Sequence, residues 1–162
     1  MPDSSKPVPE RTPTITPHLT VRGASQAIEF YQQAFGAQLA FIHKMPDGKV
    51  MHATMRLGNS RFQLADELQG AGAVPPQPPL ENQVVLNICV KNVDEVFHRA
   101  LAAGAKVIVP LANQFWGARY GQIVDPFGQL WAIFCHIEDV SPGELEHRAN
   151  AAFADLTRRA ST

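Results

Sequence analysis

The chain has 162 residues, 45% of them apolar and 18% charged, with 14 Lys and Arg against 15 Asp and Glu. That size and balance suit one globular domain with a sizeable core, and the near-zero net charge, with no basic run, leaves no electrostatic case for nucleic acid. Cys89 and Cys135 lie inside apolar runs and are too few for a disulfide framework, which reads as two small core residues in a reducing, cytoplasmic setting.

Met1 to Pro13 mixes Pro2, Pro7, Pro9 and Pro13 with charged residues and has no signal-like apolar stretch, so it reads as a disordered tail. No later run is long enough to span a bilayer, and no membrane partner is expected. Thr14 to Arg22 alternates Ile15, Pro17, Leu19 and Val21 with Thr14, Thr16, His18 and Thr20, the period of a half-buried strand whose odd positions face the helices. From Ala24 to Phe35 apolar residues return at helical spacing, with Ser25 the expected N-terminal cap and Gly36 the positive-φ stop. Strands follow at Gln38 to Lys44, Lys49 to Leu57 and Arg61 to Asp66, separated by Pro46-Asp47-Gly48 and Gly58-Asn59-Ser60 turns.

Residues 67–82, with Gly70, Gly72 and prolines at 75, 76, 78 and 79, read as a linker. Beyond it the order repeats: a strand at Gln83 to Lys91, a helix at Asn92 to Ala103 closed by Gly104, and strands near Lys106 to Leu111, Ala118 to Val124 and Gln129 to His136. The helix-to-strand joints match even in letters, Phe35-Gly36-Ala37-Gln38-Leu39 against Ala103-Gly104-Ala105-Lys106-Val107. A β-α-β-β-β unit is duplicated, as modules 14–66 and 83–136. Asp125-Pro126-Phe127-Gly128 is a tight turn, and the apolar strand after it should be buried on both faces, with Trp131 in the core. Ser141-Pro142-Gly143-Glu144 is a capping box opening a C-terminal helix, 141–162. Leu145, Ala149, Ala152, Phe153 and Leu156 form an apolar stripe on that helix, which must cover its own sheet or a partner subunit.

Several side chains are candidates for chemistry. His18 and the His52, Thr54, Arg56 face can bind or move protons, since imidazole titrates near neutral pH; the alternative is a pair of hydrogen-bonded strand histidines. Arg119 and Arg56 can hold an anion, or be solvated or ion-paired to Asp66 or Asp125. Phe115, Trp116 and Tyr120 can wall a flat ligand, or pack at a hairpin entrance or dimer contact. Trp116 is placed near a cleft mouth, and Cys89 faces the cleft by alternation.

Thr16-Pro17-His18-Leu19-Thr20-Val21, the helix Ala27-Ile28-Glu29-Phe30-Tyr31-Gln32-Gln33-Ala34-Phe35-Gly36-Ala37, Phe115-Trp116-Gly117 and Asp125-Pro126-Phe127-Gly128-Gln129-Leu130-Trp131 together resemble the vicinal-oxygen-chelate superfamily. Within it, the resemblance is to PhnB-like and glyoxalase or bleomycin-resistance-like proteins, over residues 14–142. It implies an α+β fold in which two tandem modules form an eight-stranded curled sheet around a cleft, a domain over 14–140, a small-molecule ligand and a homodimer. Metal-dependent members hold a divalent ion from the first and fourth strands of each module, positions that fall here on Thr16, Gln63, Val85 and Ala132, none of them His or Glu. A divalent ion needs several oxygen or imidazole donors. The expectation is therefore a binding protein of the resistance type with no cofactor, its ligand met by His18, His52, Phe115, Trp116, Arg119 and Tyr120. The alternative is an enzyme of the superfamily, a glyoxalase-like lyase, isomerase or dioxygenase, with a shifted metal on His18, His52 and Gln63.

Overall fold

The computed structural model describes residues 12–68, 70, 74–77 and 83–160; much of the expected tail and linker lies outside the described residues. The first module runs β1 (His18–Val21), α1 (Ala24–Phe35), β2 (Gln38–Lys44), β3 (Val50–Leu57) and β4 (Ser60–Asp66). The second runs β5 (Val85–Cys89), α2 (Val93–Ala102), β6 (Lys106–Asn113), β7 (Ala118–Val124) and β8 (Leu130–His136), and α3 (Pro142–Ala160) follows. Each module makes a four-stranded sheet, β1-β4-β3-β2 and β5-β8-β7-β6, with the first strand parallel to the last and the other pairs antiparallel. The duplication is thus structural as well as sequential. The eight strands do not form one continuous sheet, because no ladder joins the edge strands β1 and β5.

The elements differ from the sequence expectations where long-range bonds decide them. The first strand contracts from Thr14–Arg22 to His18–Val21, after a proline that cannot donate to the ladder; Pro17 still accepts from the Gln63 amide at 2.8 Å. Helix α1 is capped by Gly23 rather than Ser25, and no local side chain bonds its first turn. Asp66, at the end of β4, does so instead: Oδ1 accepts from the Gly23 and Ala24 amides at 3.0 and 2.9 Å, and Oδ2 from Val50 at 2.7 Å. Gly36 ends α1 at φ 71°, as expected. At α2 the Asn92 side chain accepts from the Glu95 amide at 3.2 Å.

One face of each sheet carries its helix. Leu19, Val21, Ala53, Met55, Phe62 and Leu64 meet the buried side of α1. In β7, Gly121 lies under α2, where a Cβ would stand 2.6 Å from the Phe97 ring, so the helix approaches as closely as it does because this residue has no side chain. The modules join through these helix-bearing faces. Tyr31 and Phe35 of α1 pack on Trp131, with ring centroids 5.4 and 4.9 Å away, and Phe62 packs on the same indole. At the centre, Asp125 Oδ2 accepts from Tyr31 Oη at 2.7 Å and from Trp131 Nε1 at 2.9 Å. Asp125 Oδ1 accepts the Phe127 and Gln129 amides at 2.9 Å each, which makes the expected turn. Trp131 is 2% exposed, as its core assignment required.

Helix α3 has no buried residue. Only half of its capping box forms: Ser141 Oγ accepts the Glu144 amide at 3.3 Å, while the Glu144 carboxylate is taken by Arg148 at 2.7 Å. Arg148 also reaches Glu138, which ties the helix to the segment before it. No described helix is long and apolar enough to cross a membrane.

Candidate functional site

The second face of each sheet is open, and alternation decides what it carries. Across the first sheet the register sets His18 beside Gln63, Gln63 beside Thr54 and Thr54 beside Phe41. His52 stands one step along; its ring stacks on His18 at 6.1 Å and 24°, and Phe41 lies 6.1 Å from it on the other side. His52 Nε2 is 3.3 Å from Thr54 Oγ1. The expected pairing of His18 and His52 on one face is therefore observed. Phe41 is an addition that the sequence reading missed, because a bulge between Leu39 and Phe41 breaks the alternation of β2. Thr16 precedes β1 and is half-buried, and Arg56 donates to Gln38 Oε1 at 2.6 Å.

On the second sheet, Phe115 and Trp116 occupy the turn before β7, with centroids 5.1 Å apart and near-perpendicular rings. Trp116 meets Tyr120 at 5.6 Å, and the Gln122 amide donates to Tyr120 Oη. The three aromatics do form a wall, and Trp116 is 41% exposed. Arg119 does not join it. Being adjacent to Tyr120 on a strand, it points to the helix side, where Nε and Nη2 hold Asp94 at 2.9 and 2.6 Å and Nη1 reaches Asn113 at 3.1 Å. That guanidinium holds the Asp94 carboxyl below its usual range. Its partner is neither Asp66 nor Asp125, since both are engaged elsewhere. Cys89 is exposed rather than part of the core, because alternation puts it on the same side of β5 as exposed Asn87 and opposite buried Ile88.

The four positions expected to face a metal, if one were held, are Thr16, Gln63, Val85 and Ala132. Ala132 is fully buried between Asn87 and Gln122, and Val85 pairs with Leu130. Two imidazoles and a carboxamide on one face, with alanine and carboxamides on the other, do not fit the usual divalent ion, which wants carboxylate or further imidazole donors. Among the described residues no three His, Cys, Asp or Glu come together. The histidine face and the aromatic face both turn away from the core that joins the modules, and no ring contact links them within one chain.

The model of the Glyoxalase/Bleomycin resistance protein/Dioxygenase superfamily matches residues 14–133. The chain belongs to this superfamily. An uncharacterized protein of Mycobacterium tuberculosis is 36% identical over 137 residues, covering 83% of this chain and 81% of its own length. Among solved structures, the PhnB protein from Bacillus cereus superposes with a TM-score of 0.61 at 24% identity, over 76% of this chain and 99% of its own. A glyoxalase/bleomycin resistance protein/dioxygenase family enzyme from Burkholderia phytofirmans gives 0.57 at 20% identity, over 74% and 95%. The match spans both of the repeated modules.

Proposed function

We propose that this superfamily member is a cytoplasmic, homodimeric small-molecule binding protein of the resistance type that works without the usual chelated metal. The carrying observation is the pair of open sheet faces, one bearing His18, His52 and Phe41 beside Thr54 and Gln63, and the other Phe115, Trp116 and Tyr120 beside Gln122. Rings give a flat ligand large apolar contact, and imidazole, hydroxyl and carboxamide groups orient it without bond cleavage. Because the two faces look away from each other in one chain, the reading calls for a two-fold related copy that sets the histidine face of one protomer against the aromatic face of the other and closes the cleft.

A ligand screen by thermal shift, followed by calorimetry on each hit, tests this. Trp116→Ala and the double variant His18→Ala/His52→Ala should each weaken a hit about tenfold or more while leaving the fold intact; unchanged affinity removes those residues from the site. A second reading, a superfamily enzyme with a shifted ion, is favoured by one observation, the stacking of His18 and His52 beside Gln63. Elemental analysis decides between them, because stoichiometric zinc, manganese, nickel or iron with strong thermal stabilisation would overturn the metal-free proposal.

A further inference from the structure

A separate groove of about 730 Å³ opens between the β3–β4 turn and β5. Ile15, Leu57, Leu86 and Val90 supply its accessible apolar lining, and Arg61 and Lys91 supply its charge. Among the described residues no Asp or Glu lines it. Among the described residues neither cationic side chain has a hydrogen bond or an ion pair. Arg61 also stands directly opposite Arg56 in the β3–β4 ladder, and like charges in that position destabilise a sheet. Arg56 is turned to Gln38, and among the described residues no carboxylate pairs with Arg61. Every residue from 86 to 91 touches the groove, although an alternating strand shows only every second side chain to one side. The strand therefore presents its free edge, and with it unpaired backbone amides, since β5 pairs only with β8.

From these features we infer a second ligand site, at the free edge of β5 and apart from the histidine and aromatic clusters, that takes a small organic anion with an apolar body, such as an aryl or branched-alkyl carboxylate. The volume falls within the range of about 300–1,000 Å³ usual for small-molecule pockets. The carboxylate would meet the Arg61 fork and Lys91, and the hydrocarbon body the accessible Ile15, Leu57, Leu86 and Val90 surface. Attraction by two exposed cations also makes binding salt-sensitive.

The test uses the full chain and two fluorescent probes of similar shape, anionic 8-anilinonaphthalene-1-sulfonate and uncharged N-phenyl-1-naphthylamine. Binding of the anion should weaken about tenfold or more in Arg61→Gln/Lys91→Gln, the loss of at least one charge-assisted contact, and should weaken in high salt. The neutral probe should bind that variant as it binds the parent, and His18→Ala/His52→Ala should leave both probes unaffected. The site is overturned if the anion binds the Gln variant unchanged, if both probes weaken together, or if the histidine variant abolishes binding. Backbone amide shifts in the parent protein give a check that needs no variant: anion-induced shifts confined to 58–61 and 86–91 support the site, and shifts centred elsewhere overturn it. Failure here leaves the open-face reading standing, because the groove shares no lining residue with the histidine and aromatic clusters.

Discussion

Asp125 accepts from four donors, two side chains and two backbone amides, in a site where it is only 4% exposed. Burial is the largest influence and raises its pKa, while the four hydrogen bonds pull the other way. Asp125→Ala would orphan Tyr31 Oη and Trp131 Nε1 inside the core, and each unsatisfied buried donor costs about 1–3 kcal/mol, so urea titration should show a loss of about 2–5 kcal/mol. Tyr31→Phe removes one donor and should cost about 1 kcal/mol at neutral pH. Its pH signature is more specific. Burial, the Asp125 charge and the Asp125 hydrogen bond all raise the Tyr31 pKa well above the ordinary 10.0. The folded protein thus keeps that proton where the unfolded chain has released it, so stability present below pH 10 is lost as the pH climbs towards the folded value. Chemical denaturation at alkaline pH should show this decline in the parent protein and a shallower one in Tyr31→Phe. Asp125 works in the same sense: folded, it takes up its proton first, so a fall in pH through its titration favours the folded state rather than driving acid unfolding.

At the scale of elements, the bounds of α1, β2 and β7 were legible because periodicity and glycine punctuation are local signals. The cap of α1 was not. Ser25 was the nearest candidate, but the group that satisfies the first turn comes from Asp66, 42 positions away from Ala24 and adjacent only through the parallel β1–β4 pairing. Asp66→Ala should cost about 2 kcal/mol, the joint loss of a cap and a strand contact, and hydrogen exchange should show the deprotection concentrated at Gly23, Ala24 and Val50. Arg119 illustrates the same boundary of sequence reasoning, because its position after the aromatic turn suggested a ligand contact while strand alternation sends it to Asp94. Gly117 adds a further constraint. It sits at φ 88°, and a Cβ there would overlap the Glu138 carbonyl oxygen and stand 2.9 Å from Val140. Gly117→Ala should therefore lose at least about 2 kcal/mol, from backbone strain and the clash together, and thermal melts should register it. The segment leading into α3 should loosen with it.

For the whole molecule, the paired modules and their internal duplication were readable from repeated order alone, whereas the relation between them was not. The expected single curled sheet is two sheets, because a sequence pattern carries no information on whether two edge strands meet. The apolar stripe of α3 was read as covering a sheet or a partner. Phe153 and Leu156 remain 61% and 60% exposed and no residue of the helix is buried, so the stripe covers no sheet within the chain, which accords with the proposed homodimer. The full chain should sediment as a dimer, and Phe153→Asp/Leu156→Asp should shift it to monomer and weaken any open-face ligand at the same protein concentration. A monomeric parent, or a variant still dimeric, would remove α3 from the interface.

The Asp125 clasp also sets a timetable for synthesis. Tyr31 and Asp125 are 94 positions apart in the chain, so at ribosomal speeds of about 5–20 residues per second the helix waits roughly 5–20 s for its acceptor. During that interval the first module exposes the aromatic face of α1 that Trp131 will later cover. A nascent chain stalled before the second module should accordingly be readily bound by chaperones, and one stalled after β8 has emerged should not.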